Sequence, residues 1–239
     1  MKLRGGSMKP YYEDGSVTIW HGDCRDVLPT LASVDVFVTD PPYGVDGGRG
    51  GDARDFQKAS YGSSWPDTPR YVASVCVPTV TALAEVCRAG AVTPGIRCLM
   101  DYPGPRDIGC FWTPASVTHG PWGFTTFQPI LYYGKDWRAG LGALPSGRVL
   151  TAPAKKNGHP CPKPLDAWQW LVDKVAKEDE AVLDPFMGSG TTLVAAKNLG
   201  REAIGIEIEE KYCEIAALRC SQEVLALAPP TPREEVDHG

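Results

Sequence analysis

Short apolar runs alternate with longer amphipathic segments along most of this chain. Near the amino terminus, Val17–Trp20 and Val34–Val38 predict two strands, with room for a short helix at 24–31. The apolar spacing over residues 69–88 predicts a helix despite Pro78. Strand-helix-strand units of this kind cross over with a right hand and build parallel sheets.

The last third of the chain repeats this alternation more clearly. Its predicted elements are a helix at Leu165–Ala176, a strand at Ala181–Leu183, a helix at Thr191–Leu199, a strand at Ala203–Ile206 and a helix at Glu209–Leu225. Residues 89–157 show no clear period, and only Pro129–Tyr133 predicts a strand there. The many aromatic residues of that segment are expected mainly in the core, with stacking on bases as the alternative.

Composition favours one globular domain. The 239 residues are 43% hydrophobic and 22% charged, which allows one sizeable core. We expect this domain at residues 8–226, an expression remnant at 1–7 and a disordered, proline- and glutamate-containing tail at 227–239. No apolar run approaches the roughly 18 residues of a membrane helix, and no signal segment is recognisable. A cytoplasmic location without a membrane partner is therefore expected.

Eight cysteines are spread through the chain without a Cys-x2-Cys pair. The nearest approach to a ligand cluster is His159-Pro160-Cys161-Pro162, whose two prolines favour a structural loop. We therefore expect reduced thiols and no metal.

Positive charge is concentrated in one segment, although the net charge is −5. Residues 135–163 carry six basic side chains and one acid, a local charge of +5. Such a strip can contact DNA phosphates, and a solvated basic loop is the alternative. The candidate DNA-binding residues are Lys135, Arg138, Arg148, Lys155 and Lys156.

A glycine-containing loop lies between the strand at 181–183 and the helix at 191–199. Small residues there let a ligand approach the backbone, and the free N–H groups of a helix start favour an anion. Glu207 ends the next strand, 23 residues after Asp184 and near the offset at which a carboxylate binds ribose hydroxyls. A P-loop would need a lysine, and a dinucleotide site usually has a third glycine where Leu193 stands. A purely structural turn is the remaining alternative.

A second motif, Thr39-Asp40-Pro41-Pro42-Tyr43-Gly44, follows the predicted strand at 34–38. The exocyclic amino group of a base is a poor nucleophile because its lone pair is delocalised into the ring. Acceptors such as the Asp40 carboxylate and the Pro41 carbonyl would favour a tetrahedral nitrogen and stabilise its developing charge. Tyr43 would supply a flat face for a displaced base. Asp and Pro are also common turn residues, so a turn is the alternative.

Together the two motifs resemble those of the beta-type amino-methylating DNA methyltransferases, in which the catalytic motif precedes the cofactor loop. The resemblance implies an α/β, Rossmann-like S-adenosylmethionine-dependent methyltransferase fold, with a mostly parallel sheet and helices on both faces. It implies methyl transfer from S-adenosylmethionine to adenine N6 in DNA after base flipping, often within a restriction-modification system. Cytosine N4 is the close alternative, and Asp rather than Ser at position 40 favours adenine. A catalytically silent DNA-binding module is a third reading, which the intact motifs disfavour.

The resemblance also assigns residues. Lys163 and Pro164 would flank the methionine portion of the cofactor, Phe186 would lie against the adenosyl group, and Asp23 would accept a bond from the adenine amino group or simply cap a helix. The implied catalytic residues are Asp40, Pro41, Pro42 and Tyr43. The implied cofactor-binding residues are Asp23, Cys24, Lys163, Pro164, Asp184, Pro185, Phe186, Gly188, Ser189, Gly190, Thr191, Thr192 and Glu207. DNA recognition would fall at about 134–158, a segment short enough that relaxed recognition or a homodimer is expected.

Overall fold

A nine-stranded sheet organises the computed structural model, which describes residues 9–45, 67–113, 119–120, 123–142, 144–150 and 163–222. The strands are β1 (Tyr12–Glu13), β2 (Val17–His21), β3 (Val36–Thr39), β4 (Ala89–Val92), β5 (Asp107–Trp112), β6 (His119–Gly120), β7 (Gly123–Phe124), β8 (Phe127–Gly134), β9 (Arg148–Val149), β10 (Val182–Asp184) and β11 (Ala203–Glu207). Strands β6 and β7 pair separately. The expected remnant 1–7 and tail 227–239 lie outside the described residues.

The sheet order is β1-β2-β11-β10-β3-β4-β8-β5-β9. Its five central strands, β2, β11, β10, β3 and β4, run parallel, and β1 and β8 flank them antiparallel. Buried residues of β10 fix the central register, because Val182 lies opposite both Val36 and Ala203. The predicted mostly parallel sheet is confirmed.

The described residues form six α-helices: α1 (Cys24–Val27), α2 (Pro69–Tyr71), α3 (Val77–Val86), α4 (Leu165–Val175), α5 (Thr191–Asn198) and α6 (Glu210–Ser221). Short 3-10 turns occur at Leu28–Thr30 and Leu99–Asp101. Among the described helices, none is long and apolar enough to cross a membrane.

The helix predicted over residues 69–88 is interrupted by a π-helical turn. This turn, Val72–Cys76, joins α2 to α3 directly before Pro78. A proline inside a helix lacks an N–H donor and clashes with the carbonyl four residues earlier, so a widened turn upstream relieves that conflict. The apolar spacing predicted the helical path, and the proline decided its local geometry.

Alternating strand residues build two cores, one on each face of the sheet. In β3, Val36 and Val38 pack on the side of α4, α5 and α6, where Trp168 is the largest fully buried residue. Phe37 points to the opposite side, towards α1, the π turn and α3. The predicted helices on both faces are therefore confirmed.

Two strands, β4 and β5, carried no recognisable sequence signal. Strand β4 reads Ala-Gly-Ala-Val, which has low strand propensity, yet all four residues are buried. A Cβ at Gly90 would lie 2.1 Å from Cε1 of Phe37, so the ring on β3 selects a glycine at its neighbour. Strand β5 is largely exposed and contains Gly109, so its burial does not follow a clean alternation.

The connections place a crevice between β3 and β10. Strand β3 continues to β4 through α3 on one face, whereas the neighbouring β10 continues to β11 through α5 on the other face. Neighbouring strands whose connections depart in opposite directions leave a gap outside their carboxyl ends, where open α/β sheets bind ligands. Both sequence motifs follow these two strands.

Candidate functional site

Polar residues line the edge of the sheet at which the five parallel strands end. The antiparallel β8 begins at this edge, so its first residues join the same row. Across the sheet from β2 to β8, the row is Asp23, Glu207, Asp184, Asp40, Thr93 and Gln128.

Asp40 is the centre of a hydrogen-bonded cluster. Its Oδ1 accepts the Tyr43 hydroxyl at 2.6 Å, the Gln128 amide at 3.2 Å and the Thr93 hydroxyl. The ammonium of Lys163 lies 2.7 Å from Asp40 Oδ2 and 2.8 Å from Tyr43 Oη. Burial, followed by the nearby Asp40 charge, raises the pKa of Tyr43 well above its usual value, so the phenol remains a neutral donor.

Gly95 packs against the ring of Tyr43. A Cβ at Gly95 would come 2.7 Å from Tyr43 Cγ, and Gly95 has a φ of +67°. The Cys98 thiol contacts the Tyr43 carbonyl at 3.6 Å, and the next amide, Gly44 N–H, donates to Asp67 at 2.5 Å. These contacts fix the ring on one side, while Tyr43 as a whole is only partly buried. Of the two prolines before it, Pro41 is buried and Pro42 is partly buried.

Asp184 ties the two motifs together. It is 2% exposed, and its Oδ1 accepts the Thr39 hydroxyl at 2.6 Å and the Phe186 N–H at 3.1 Å. Its Oδ2 accepts the Thr192 hydroxyl at 2.6 Å. Burial raises the pKa of Asp184 to about 6 against these bonds. This carboxylate therefore connects β3, the loop after β10 and the start of α5.

The glycine loop after β10 is shaped by its packing. Gly188 and Gly190 have φ values of 51° and 75°, which favour glycine. A Cβ at Gly190 would lie 2.7 Å from Cβ of Ala216, so this glycine also lets α6 approach α5. Ser189 and Thr191 are 4% and 6% exposed, Pro185 is buried and Phe186 is partly buried.

Arg219 of α6 supports the same loop. Its guanidinium donates to the Ser189 carbonyl and lies 3.3 Å from Ser189 Oγ and 3.2 Å from Thr191 Oγ1. Burial lowers the pKa of Arg219. The sequence did not identify this residue, because no motif links it to a loop about 30 positions earlier.

Glu207 binds the backbone around the glycine loop. Its Oε2 accepts Gly188 N–H at 2.9 Å, and its Oε1 accepts Ile208 N–H at 3.0 Å and Glu209 N–H at 2.9 Å. Burial raises its pKa to about 7, opposed by these bonds. The end of β11 is thus joined to the loop that follows β10.

Asp23 caps α1, as one of the two interpretations of this residue predicted. Its Oδ1 accepts Arg25 N–H at 2.9 Å, and Arg25 forms an ion pair with Oδ2 at 2.5 Å. That hydrogen-bonded pair lowers the pKa of Asp23. The neighbouring Cys24 is 4% exposed, with its thiol 3.7 Å from Thr79 Oγ1. Asp23 remains at the ligand-binding edge of the sheet.

Part of the basic segment packs on α4. Arg138 pairs with Asp173 at 2.8 Å, and Arg148 pairs with Asp166 at 3.2 Å. Both acids lie on α4, outside residues 135–163, so the local positive charge of this segment is smaller in three dimensions than in the sequence. Lys135 is exposed. Lys155 and Lys156, together with residues 151–158 of the expected recognition segment, lie outside the described residues.

Thr93 and Gln128 were not identified from the sequence. Thr93 follows β4, and recognising that strand would have placed it at the ligand edge. Gln128 precedes the predicted strand at Pro129–Tyr133, but its position depends on β8 running antiparallel to β4. In the described part of the chain, no group of three or more His, Cys, Asp or Glu side chains is arranged as a metal site.

The chain is similar in sequence to known proteins. A family model described as DNA methylase, of the N6 and N4 type, matches residues 104–218. The chain is 27% identical over 261 aligned residues to Type II methyltransferase M.ScaI of Streptomyces caespitosus, covering 92% of this chain and 86% of that protein.

Two solved structures share the fold. The M1.HpyAVI-SAM complex has a TM-score of 0.63 and 21% identity, covering 86% of this chain and all (100%) of that one. The cytosine-N4-specific PvuII DNA methyltransferase has a TM-score of 0.66 and 14% identity, covering 92% of each chain.

Proposed function

We propose that this chain is an amino-methylating DNA methyltransferase that transfers a methyl group from S-adenosylmethionine to adenine N6 in DNA, and its match to the DNA methylase family model over residues 104–218 supports this. The observation that carries the proposal is the Asp40 carboxylate, clustered with Tyr43 beside the glycine loop and joined to it through Thr39 and Asp184. A base can reach such a carboxylate only after leaving the duplex, so base flipping is part of the proposal.

The cofactor would bind outside β2, β10 and β11, where the residues present fit its chemistry. When bound, it supplies an electrophilic methyl group on a sulfonium centre. Gly188 places backbone without a side chain just before α5, where the N–H groups of a helix start suit a carboxylate, whereas the space beside Gly190 is taken by Ala216 of α6. Glu207 offers oxygen acceptors for ribose hydroxyls, and Asp23 and Phe186 lie at the same edge to meet the adenosyl group. Asp184, in contrast, is proposed to position the loop, because it is 2% exposed with three donors on its oxygens, whereas Glu207, which also accepts three donors, is only partly buried.

Asp40 would act on the target amino group. An N–H donated to its carboxylate, and a second donated to the Pro41 carbonyl, would localise the nitrogen lone pair and stabilise the positive charge that grows on this nitrogen. Tyr43 would present the ring face opposite Gly95 to the displaced base. Thr93 and Gln128 would hold Asp40 and Tyr43 in place, since they contact protein atoms of the cluster.

The choice of adenine rests on Asp at position 40, while cytosine N4 carries a similar amino group. Incubation with labelled S-adenosylmethionine and unmethylated DNA of mixed sequence, followed by nucleoside analysis, separates the two. N6-methyladenine is the expected product, and N4-methylcytosine would replace the adenine assignment.

Two aspartate variants, one at the site and one away from it as a control, test the role of Asp40. Asp40→Ala is expected to abolish product while retaining cofactor binding by calorimetry, because Asp40 meets the base. Asp179→Ala removes an exposed carboxylate from the opposite edge of the sheet and is expected to leave turnover unchanged. Product from Asp40→Ala at the normal rate would exclude the proposed role.

A further inference from the structure

Lys163 lies against Asp40 and Tyr43, the residues of the proposed catalytic cluster. Its ammonium is hydrogen-bonded to Asp40 Oδ2 at 2.7 Å and to Tyr43 Oη at 2.8 Å. The side chains of Lys163 and Asp40 are 14% and 19% exposed. Lys163 directly precedes Pro164 and α4, so its backbone belongs to a different segment from the Asp40 motif.

The Asp40 carboxylate has little capacity left for another donor. Its Oδ1 already accepts from Tyr43, Thr93 and Gln128. Its Oδ2 is engaged by Lys163. A carboxylate has about four lone-pair sites, so an incoming amino group must replace one of these donors. Tyr43, Thr93 and Gln128 lie on or beside β3, β4 and β8, which are paired within one sheet.

We propose that Lys163 is an internal substitute for the target amino group, and that the amino group of the base replaces its ammonium at Asp40 Oδ2. This inference rests on the proposed function. An ammonium nitrogen and an exocyclic amino nitrogen both donate N–H to a carboxylate at the same distance. Lys163 Nζ therefore marks the position that the methyl-accepting nitrogen takes. Before the base enters, the ammonium keeps a largely buried carboxylate paired, which avoids an uncompensated charge.

The exchange also follows from charge. Positive charge grows on the acceptor nitrogen during methyl transfer, and a lysine retained on the same carboxylate would offset the negative charge that stabilises it. Because the lysine ammonium must be replaced by another N–H donor, only a base that carries such a donor can bind at Asp40 Oδ2. A keto group, such as that of thymine, offers only an acceptor and cannot displace the ammonium. Lys163 is thus a positioning residue that acts through Asp40.

Steady-state kinetics on unmethylated mixed-sequence DNA provide the first test. Lys163→Met removes the competing ammonium and is expected to lower the KM for DNA about threefold to tenfold, without a rise in the KM for S-adenosylmethionine. Lys163→Arg retains a cation on Asp40 and is expected not to lower the KM for DNA. Lys177→Met, which removes a half-exposed lysine from the opposite edge, controls for the loss of one positive charge. A higher KM for DNA with Lys163→Met, or a higher KM for the cofactor, would overturn the proposal.

An equilibrium binding cycle tests the same exchange without turnover. Fluorescence anisotropy of labelled single-stranded mixed-sequence DNA is measured for Lys163→Met in the wild-type and Asp40→Asn backgrounds. The gain in affinity is expected only when Asp40 is intact, because the competition acts through its carboxylate. Equal effects in both backgrounds would refute the exchange and identify Lys163 as a phosphate contact. If Lys163→Met does not fold, judged by its thermal midpoint, Lys163→Leu, which also lacks an N–H donor, replaces it. Binding reports on Lys163 even if the wild type forms no methylated base, which would refute only the proposed function.

Discussion

At the residue scale, Asp40 shows how neighbouring side chains prepare a reactive group. Its carboxylate is aimed by Tyr43 from its own loop and by Thr93 and Gln128 from adjacent strands. Each donor restricts rotation of the carboxylate, so the acceptor geometry exists before a base arrives. Preorganised groups of this kind stabilise a transition state without reorganising during the reaction.

Thr93 offers a test of this preorganisation. We expect Thr93→Val, which removes one hydroxyl at nearly constant volume, to lower kcat about tenfold, equivalent to one hydrogen bond of roughly 1.4 kcal/mol. The affinity for S-adenosylmethionine should not change. Thr81→Val is the matched control, because its hydroxyl donates to the Val77 carbonyl within α3. A fall in cofactor affinity equal to the fall in kcat would place Thr93 in the cofactor site.

Glu207 gives a pH-dependent prediction. Burial raises its pKa to about 7, and hydroxyl donors of a ribose favour the ionised carboxylate. Affinity for S-adenosylmethionine should therefore rise as the pH increases through about 7 and level off above it. Glu207→Gln is expected to weaken binding by about 1 to 3 kcal/mol and to flatten this dependence. Calorimetry between pH 6 and 8 measures both effects, and an unchanged profile in the variant would refute the ribose assignment.

At the element scale, contact between adjacent strands explains an unusual strand composition. Gly90 of β4 lies against the ring of Phe37 on β3, at the strand that carries Asp40. Packing there leaves no space for a methyl group, so the low strand propensity of glycine is overridden by tertiary contact.

Substitution at this contact should destabilise the whole sheet. We expect Gly90→Ala to lower the free energy of unfolding by about 1 to 3 kcal/mol, the usual cost of overpacking a core. Phe37→Leu in the same chain should recover part of that loss by making room. Gly104→Ala, where an added Cβ meets nothing within 4 Å, is the control and should change little. Urea unfolding of the wild type, Gly90→Ala, Phe37→Leu, the double variant and Gly104→Ala tests this, and additive losses in the double variant would contradict it.

The basic residues of segment 135–163 are expected to contribute differently to DNA binding. Arg148 is paired with Asp166 of α4, so Arg148→Ala should leave the salt dependence of DNA binding unchanged. Lys155→Ala combined with Lys156→Ala should flatten the slope of log K against log salt by about 0.9 for each phosphate that is no longer neutralised. Titrations at several salt concentrations compare the two variants. The opposite pattern would assign phosphate binding to the arginine.

At the scale of the whole molecule, two desolvated carboxylates lie together at the crevice between β3, β10 and β11. The pKa values of Asp184 and Glu207 are raised to about 6 and about 7, mainly by burial. A carboxyl group with a raised pKa binds its proton more tightly in the folded protein than in the unfolded chain. Between the unfolded and folded pKa values, stability therefore falls as the pH rises.

Stability measured without added cofactor should follow this sign. We expect the free energy of unfolding to fall between pH 5 and about pH 7.5, with a smaller fall in Glu207→Gln, which cannot ionise. Urea unfolding across this window is the measurement. Because cofactor binding is expected to favour ionised Glu207, added S-adenosylmethionine should stabilise more at pH 8 than at pH 6. A stability that rises across the window in both proteins would show that other groups dominate.

Local signals in the sequence were sufficient for four of the five central parallel strands and for the order of the two motifs. Continuous apolar runs marked β2, β3, β10 and β11, because a strand buried on both faces is apolar along its length. The motif residues directly after these strands could then be assigned to the ligand edge. Asp40, Tyr43, the glycine loop and Glu207 were all identified in this way.

Tertiary structure alone decided which residues meet Asp40 and which basic residues are already paired. Gln128 reaches Asp40 because β8 runs antiparallel beside β4, and Lys163 reaches it from a segment more than a hundred residues away. Arg148 is neutralised by an acid on α4 for the same reason. Sequence periodicity indicates which face of a segment is buried, but not which distant segment covers that face. Contacts between distant segments depend on the order of the strands in the sheet and on the face that each helix covers.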